Sequence, residues 1–123
     1  MKIKGASVVK GQGIGKKIGV PTINVDPEFG KGLAPGIYLC KASFKEGDFW
    51  GLVHFGPRPT FSDEIFSFEV YLLEYDSNLI VPRKLDFEVL DFIREVVTFQ
   101  TPELMVAEIQ NDISKARELI KKY

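Results

Sequence analysis

The hydrophobic period of this chain changes once, near residue 100, and few folds are compatible with that change. Before it, short runs of strand-forming residues alternate with glycine- and proline-rich turns. Such runs occupy residues 36–44, 49–55, 67–75 and 84–92. Five or six short strands at near-regular spacing predict an antiparallel barrel or sandwich.

Residues 102–121 have the period of a helix. Thr101, Pro102 and Glu103 are a capping residue, a first-turn proline and a first-turn acid, the usual start of a helix. Apolar residues then recur at three- and four-residue steps, at Met105, Ile109, Ile113, Ala116 and Ile120. We therefore predict one carboxyl-terminal helix that packs against the barrel.

The third strand run presents two different faces. Because strand side chains alternate, one face should carry Phe66, Phe68, Val70 and Leu72, and the other Ser67, Glu69, Tyr71 and Leu73. Glu69 should therefore share a strand face with Ser67 and Tyr71. By itself, a glutamate on such a face is more often a solvated charge.

Composition indicates a single soluble domain over residues 1–123. The chain is 45% hydrophobic and 27% charged, with no apolar run long enough to span a membrane and no signal-peptide stretch. Its one cysteine, Cys40, excludes an internal disulfide, fits a cytoplasmic location and should be a buried apolar filler. His54 is interpreted as a strand residue and Trp50 as a packing residue. We expect a monomer.

Charge and residue spacing limit the partners. Net charge is −1, although residues 1–61 carry +5 and residues 62–123 carry −6. This asymmetry fits either a small anionic ligand or chance surface bias. One cysteine and one histidine exclude the usual zinc spacings. Basic residues do not alternate with aromatic ones, so we expect no nucleic-acid partner. Because the apolar runs are short, we also expect no membrane partner.

The stretch GQGIGKKIGVPTIN, residues 11–24, could bind phosphate. Its glycines expose backbone amides, and Lys16 and Lys17 add positive charge. The spacing fits neither a Rossmann fingerprint nor a Walker A loop. Thr22 and Asn24 are two apart, so a strand would place both oxygen donors on one side, where Mg²⁺ could bind. A plain glycine turn followed by a polar strand face remains the alternative.

Taken together, these motifs resemble the ATP-dependent riboflavin kinase family. GASVVKGQGIGKKIGVPTIN resembles its glycine loop and Pro-Thr-x-Asn motif, and APGIY resembles its Pro-Gly-Val-Tyr element. FGPRPTF, FEVY and FIRE follow in the family's order, and Asp112 is similar to an acid of its helix. The resemblance implies a six-stranded antiparallel Greek-key β-barrel with a C-terminal α-helix. It covers the kinase domain without the adenylyltransferase domain to which bacterial members are often fused.

The resemblance implies that ATP phosphorylates the terminal ribityl hydroxyl of riboflavin, giving FMN. It implies Glu69 as the catalytic base and Thr22 and Asn24 as Mg²⁺ ligands. The implied nucleotide-binding residues are Gly11, Gly13, Gly15, Lys16, Lys17, Gly19, Pro21 and Thr22. The implied flavin-binding residues are Arg58, Thr60, Phe61 and Arg94.

Two departures from the family pattern leave an alternative open. The family usually has Tyr-Gly where this chain has Val81-Pro82, and its glycine loop commonly ends in Gly-Arg where this chain has Gly15-Lys16. The alternative is a non-catalytic flavin- or nucleotide-binding module that kept the barrel. Pro21-Thr22-Ile23-Asn24 resembles the ATP-using type more closely than the archaeal type that uses CTP, although these residues do not identify the nucleotide base.

Overall fold

The computed structural model describes residues 1–9, 22–45, 47–57, 66–74 and 82–123. These residues contain six strands, a short 3₁₀ helix at Pro27–Gly30, and one α-helix. The strands are β1 (Lys2–Val9), β2 (Thr22–Val25), β3 (Gly36–Phe44), β4 (Gly47–Pro57), β5 (Phe66–Leu72) and β6 (Lys84–Arg94), and the helix is α1 (Pro102–Ile120).

The strands close into an antiparallel barrel in the order β1-β2-β5-β4-β3-β6. The barrel closes because β6 pairs with β1, so each described strand has a neighbouring strand on both sides, although β1 and β2 pair only at Val8 and Val9. A register shift between Ile3 and Ala6 bends β1, and Gly5 at this point has φ of 62°. The barrel expected from the sequence is thus confirmed, although β4 and β6 run longer than predicted and β5 ends at Leu72.

Side-chain alternation separates the apolar residues into two cores. The barrel interior contains Phe68, Val70 and Leu72 of β5, together with inward residues of the other strands. A second core lies between the outer face of the barrel and α1, where Leu52 and Tyr71 meet the helix. The helix contributes its predicted stripe to this second core: Met105, Ile109, Ile113 and Ala116 are buried, and Ile120 packs at the edge.

The predicted start of the helix is confirmed in detail. Thr101 is the N-cap, and its side-chain oxygen accepts a hydrogen bond of 3.2 Å from the Leu104 amide. Pro102 follows at the first helical turn. Cys40 is fully buried and Trp50 packs against the second core, as expected. Phe66, at the start of β5, is 41% exposed, although its ring centre lies 5.7 Å from that of the core residue Phe55.

Within the described residues, no helix combines the length and the apolar character that crossing a bilayer would require.

Candidate active site

One row of side chains crosses five neighbouring strands on the face of the barrel that packs against α1. Asn24 of β2 lies opposite Glu69 of β5, and Glu69 lies opposite His54 of β4. His54 lies opposite Ile37 of β3, and Ile37 lies opposite Arg94 of β6. We call these five residues the outer row. The register therefore brings polar residues from distant parts of the sequence side by side.

Glu69 is the buried carboxylate of the outer row. Its exposed fraction is only 4%, and Oε2 accepts a hydrogen bond of 2.7 Å from the Tyr71 hydroxyl. Burial, and secondly the charge of Glu69, raise the pKa of Tyr71 well above its ordinary value. Tyr71 therefore stays protonated and donates to the carboxylate. A buried glutamate in this position contrasts with the solvated charge that a strand face usually carries.

Thr22 and Asn24 lie on the same side of β2, as their spacing predicted. Thr22 is opposite Tyr71, and Asn24 is opposite Glu69. Both are partly buried, whereas Ile23 and Val25 between and beyond them point into the barrel core. Asn24 thus lies one strand spacing from the buried carboxylate, and Thr22 lies diagonally from it at roughly 7–8 Å.

Arg94, at the other end of the outer row, holds α1 to the barrel. Its Nε and Nη2 donate to the two carboxylate oxygens of Asp112, each at 2.8 Å, and Asp112 is 1% exposed. Nη1 donates to the Glu95 carbonyl at 3.0 Å. Burial raises the pKa of Asp112, while Arg94 opposes that shift. This two-bond geometry fixes the plane of the guanidinium group.

A cleft opens beside Arg94, between the outer face of the barrel, α1 and the segment that joins β6 to α1. Tyr71, His54 and Asp112 provide its polar lining, and Phe99 and Met105 provide apolar lining. The Phe99 ring centre lies 5.9 Å from the Arg94 guanidinium carbon. The cleft encloses a volume of only about 10 Å³, room for about one water molecule, so a flat aromatic ligand enters only when its walls move apart.

His54 is the residue of the outer row that sequence reasoning missed. It is 5% exposed, and neither ring nitrogen has a hydrogen-bond partner among the described residues. Burial, and secondly the positive charge of Arg94, lower the pKa of His54 to about 4. The imidazole is therefore neutral at physiological pH. Only the strand register could have revealed it, because nothing in the sequence pairs β4 with β5 at this position.

The pKa of His54 makes the stability of the protein depend on pH. The unfolded chain binds a proton near pH 6.5, whereas the folded chain resists it until about pH 4, so stability falls on acidification through this window. We expect wild type to lose about 2 kcal/mol more than His54→Leu between pH 7 and pH 5. Urea unfolding of both proteins at the two pH values measures this difference. Equal losses would contradict it.

The structure brings Thr22, Asn24, Glu69 and Arg94 onto one face of the barrel. The other predicted site residues lie outside the described residues, and their roles stay predictions. They are Gly11, Gly13, Gly15, Lys16, Lys17, Gly19 and Pro21 of the glycine loop, and Arg58, Thr60 and Phe61 of the segment after β4.

Comparison with known proteins agrees with this architecture. A solved structure, a macrolide-efflux protein from Streptococcus pneumoniae, superimposes with a TM-score of 0.72 at 24% identity. It covers 94% of this chain and 38% of its own, and it shows that the two share a fold.

Two proteins of similar sequence are riboflavin kinases. The RNA-binding riboflavin kinase RibR of Bacillus subtilis (strain 168) is 32% identical over 115 residues, which are 93% of this chain and 49% of the relative. A bifunctional riboflavin kinase/FMN adenylyltransferase of Pseudomonas fluorescens is 31% identical over 114 residues, which are 91% of this chain and 36% of the relative. This chain thus spans half or less of the length of these relatives.

The family comparison covers nearly the whole chain. The family model for flavokinase, described as riboflavin kinase, matches residues 1–120. The match includes the glycine loop, all six strands of the barrel and α1. This chain therefore belongs to the riboflavin kinase family.

Proposed function

We propose that this protein transfers the γ-phosphoryl group of ATP to the terminal ribityl hydroxyl of riboflavin, producing FMN. The observation that carries this proposal is the outer row, in which a buried carboxylate lies between an amide oxygen donor and a cleft lined by apolar side chains and the fixed Arg94 guanidinium group. Each end of the row suits one substrate: phosphate and metal at Asn24, and the flavin ring near Arg94.

Glu69 acts as the general base in this mechanism. The attacking alcohol must lose its proton as the phosphoryl group arrives, and a carboxylate at hydrogen-bond distance can accept it. The Tyr71 hydroxyl holds Oε2 by its hydrogen bond, so the carboxylate keeps a fixed orientation. Burial also excludes bulk water from the carboxylate, which limits wasteful hydrolysis of ATP.

Thr22 and Asn24 would hold Mg²⁺ that arrives with ATP. A hydroxyl and an amide oxygen on one side of β2 are the hard oxygen donors that Mg²⁺ prefers, and phosphate oxygens and water would complete the shell. When bound, Mg²⁺ neutralises charge on the phosphates. The amides of the glycine loop, with Lys16 and Lys17, are proposed to bind the same phosphates.

The cleft beside Arg94 is proposed to bind the isoalloxazine ring, with Arg58, Thr60 and Phe61 close to the substrates. Arg94 itself is held by Asp112, so it contributes a positive charge in a fixed position rather than a mobile side chain.

We further propose that ATP is the nucleotide and that the protein is a monomer without a nucleic-acid partner. We also propose that it acts in the cytoplasm, where Cys40 stays a free thiol.

The test is incubation with riboflavin and Mg-ATP, followed by chromatography for FMN. FMN that forms only when all components are present supports the proposal. Riboflavin binding without FMN formation would instead support the binding module that kept the barrel. The buried, hydrogen-bonded Glu69 favours the kinase, because binding alone requires no base at this position.

The metal role of Asn24 gives a separate prediction. Asn24→Ala should weaken Mg-ATP binding by about tenfold or more, because loss of even a supporting group around a metal commonly costs that much. Riboflavin affinity should change little. Calorimetry with Mg²⁺ present measures both, and Asn111→Ala on the exposed side of α1 is the matched control. A folded Asn24→Ala protein with unchanged nucleotide affinity would remove the metal role.

A further inference from the structure

His54 carries an unsatisfied polar group into the cleft. Its ring nitrogens have no partner among the described residues, although the side chain is 5% exposed. Buried donors and acceptors are nearly always paired in native proteins, because an unpaired one loses its bonds to water without compensation. A leucine would fill this position without that cost. The arrangement therefore indicates a partner that arrives with a ligand.

The position of His54 identifies which part of a ligand reaches it. In the outer row, Glu69 is its neighbour on one side, and Ile37 separates it from Arg94 on the other. Adjacent strands are about 4.8 Å apart, so Glu69 and Arg94 are three spacings, or about 14 Å, apart along the sheet. A ligand that spans from the carboxylate to the cleft at Arg94 must pass over His54.

In riboflavin, the group between the reacting hydroxyl and the ring is the ribityl chain with its secondary hydroxyls. A neutral imidazole has one N–H donor and one nitrogen acceptor, and a hydroxyl can bond to either. A secondary hydroxyl can therefore hydrogen-bond His54 in either tautomer of the imidazole. Burial, and secondly the positive charge of Arg94, disfavour a protonated ring, so His54 offers a ligand hydrogen bonds without a charge.

We propose that His54 hydrogen-bonds a secondary hydroxyl of the ribityl chain and thereby selects flavins that carry a polyhydroxylated side chain. This inference rests on the proposed function, since it takes Glu69 to receive the terminal hydroxyl and the cleft to receive the ring. His54 is thus a specificity-determining residue. It holds the chain in line between the base and the ring site.

The experiment compares riboflavin with its hydroxypentyl analogue, which keeps the ring and the terminal hydroxyl but lacks the secondary hydroxyls. Dissociation constants for both flavins are measured by quenching of flavin fluorescence, with wild type and with His54→Leu. Wild type should bind riboflavin about tenfold more tightly than the analogue, the value of about one buried hydrogen bond. His54→Leu should lose that preference and bind the analogue within about twofold of wild type.

A second variant separates a contact from a packing effect. His54→Asn keeps a donor and an acceptor on a smaller side chain, so it should recover part of the preference for riboflavin. Thermal unfolding checks that each variant is folded, and His54→Leu should be at least as stable as wild type at pH 7, since it removes an unpaired buried group. Equal weakening of both flavins by His54→Leu would overturn the inference.

The kinase reaction itself is assayed separately with wild type and both flavins. FMN formation tests the proposed function, whereas the ratio of the two dissociation constants tests the role of His54. A wild type that binds riboflavin and makes no FMN would refute the kinase and leave the binding ratio to decide on His54. An active wild type whose two flavins bind equally well would support the kinase and refute the inference.

Discussion

Replacement of Glu69 by glutamine should lower the turnover number for FMN formation by roughly 10²-fold or more. Glutamine keeps the size and hydrogen-bonding shape of the side chain, and its amide can still meet the Tyr71 hydroxyl. It cannot accept the proton of the attacking alcohol. Because the base acts in the transition state, kcat and kcat/KM should fall together, with little change in riboflavin or Mg-ATP affinity.

Steady-state kinetics at saturating Mg-ATP measure this loss, and calorimetry measures the two affinities. Glu118→Gln, at an exposed position on α1, is the matched control and should retain full activity. The cost in stability should stay near 1 kcal/mol, because the hydrogen bond to Tyr71 can persist. An equally active Glu69→Gln would leave the kinase assignment in place and move the base elsewhere.

Much of the fold could be predicted because its elements carry local signals. Alternation in β5 predicted Phe68, Val70 and Leu72 on one face and Glu69 and Tyr71 on the other. The structure confirms this division and shows that the first face lines the barrel core. The helix was predictable for the same reason, since its cap and its apolar stripe lie within one continuous segment. Local period and capping chemistry act over a few residues, and a sequence displays them directly.

Which residues meet at the site could not be predicted in the same way. It depends on strand pairing between distant segments, and no local sequence pattern determines that pairing. Asn24 and Glu69 are 45 positions apart in the sequence and become neighbours through the register of β2 with β5. His54 joins them only because β4 lies on the other side of β5. Arg94 was expected at the flavin, but its buried bond to Asp112 was not foreseen, since it requires knowing how α1 crosses β6.

Among the ion pairs of the described residues, Arg94–Asp112 should be the one whose disruption costs the most stability. Arg94→Leu leaves the buried Asp112 carboxylate without its cation, and loss of one partner of a buried pair costs about 3 kcal/mol or more. Asp112→Leu should cost a similar amount by stranding the guanidinium group. The double variant should lose much less than the sum, because two packed leucines leave no unpaired charge.

Urea unfolding of the four proteins at pH 7 closes this double-mutant cycle. Lys122→Ala is the control. Lys122 binds Asp91 at 2.9 Å, nearly the same distance, but this pair lies on the exposed surface, where solvent screens it and little loss of stability is expected.

The pH dependence of stability gives a further check on the Arg94–Asp112 pair. Burial already raises the pKa of Asp112, and Arg94→Leu raises it further, so the folded state takes up a proton before the unfolded chain does. The destabilisation by Arg94→Leu should therefore be smaller at pH 4 than at pH 7. Additive losses in the cycle, or a loss that grows on acidification, would show that the helix is held by its apolar stripe and not by this pair.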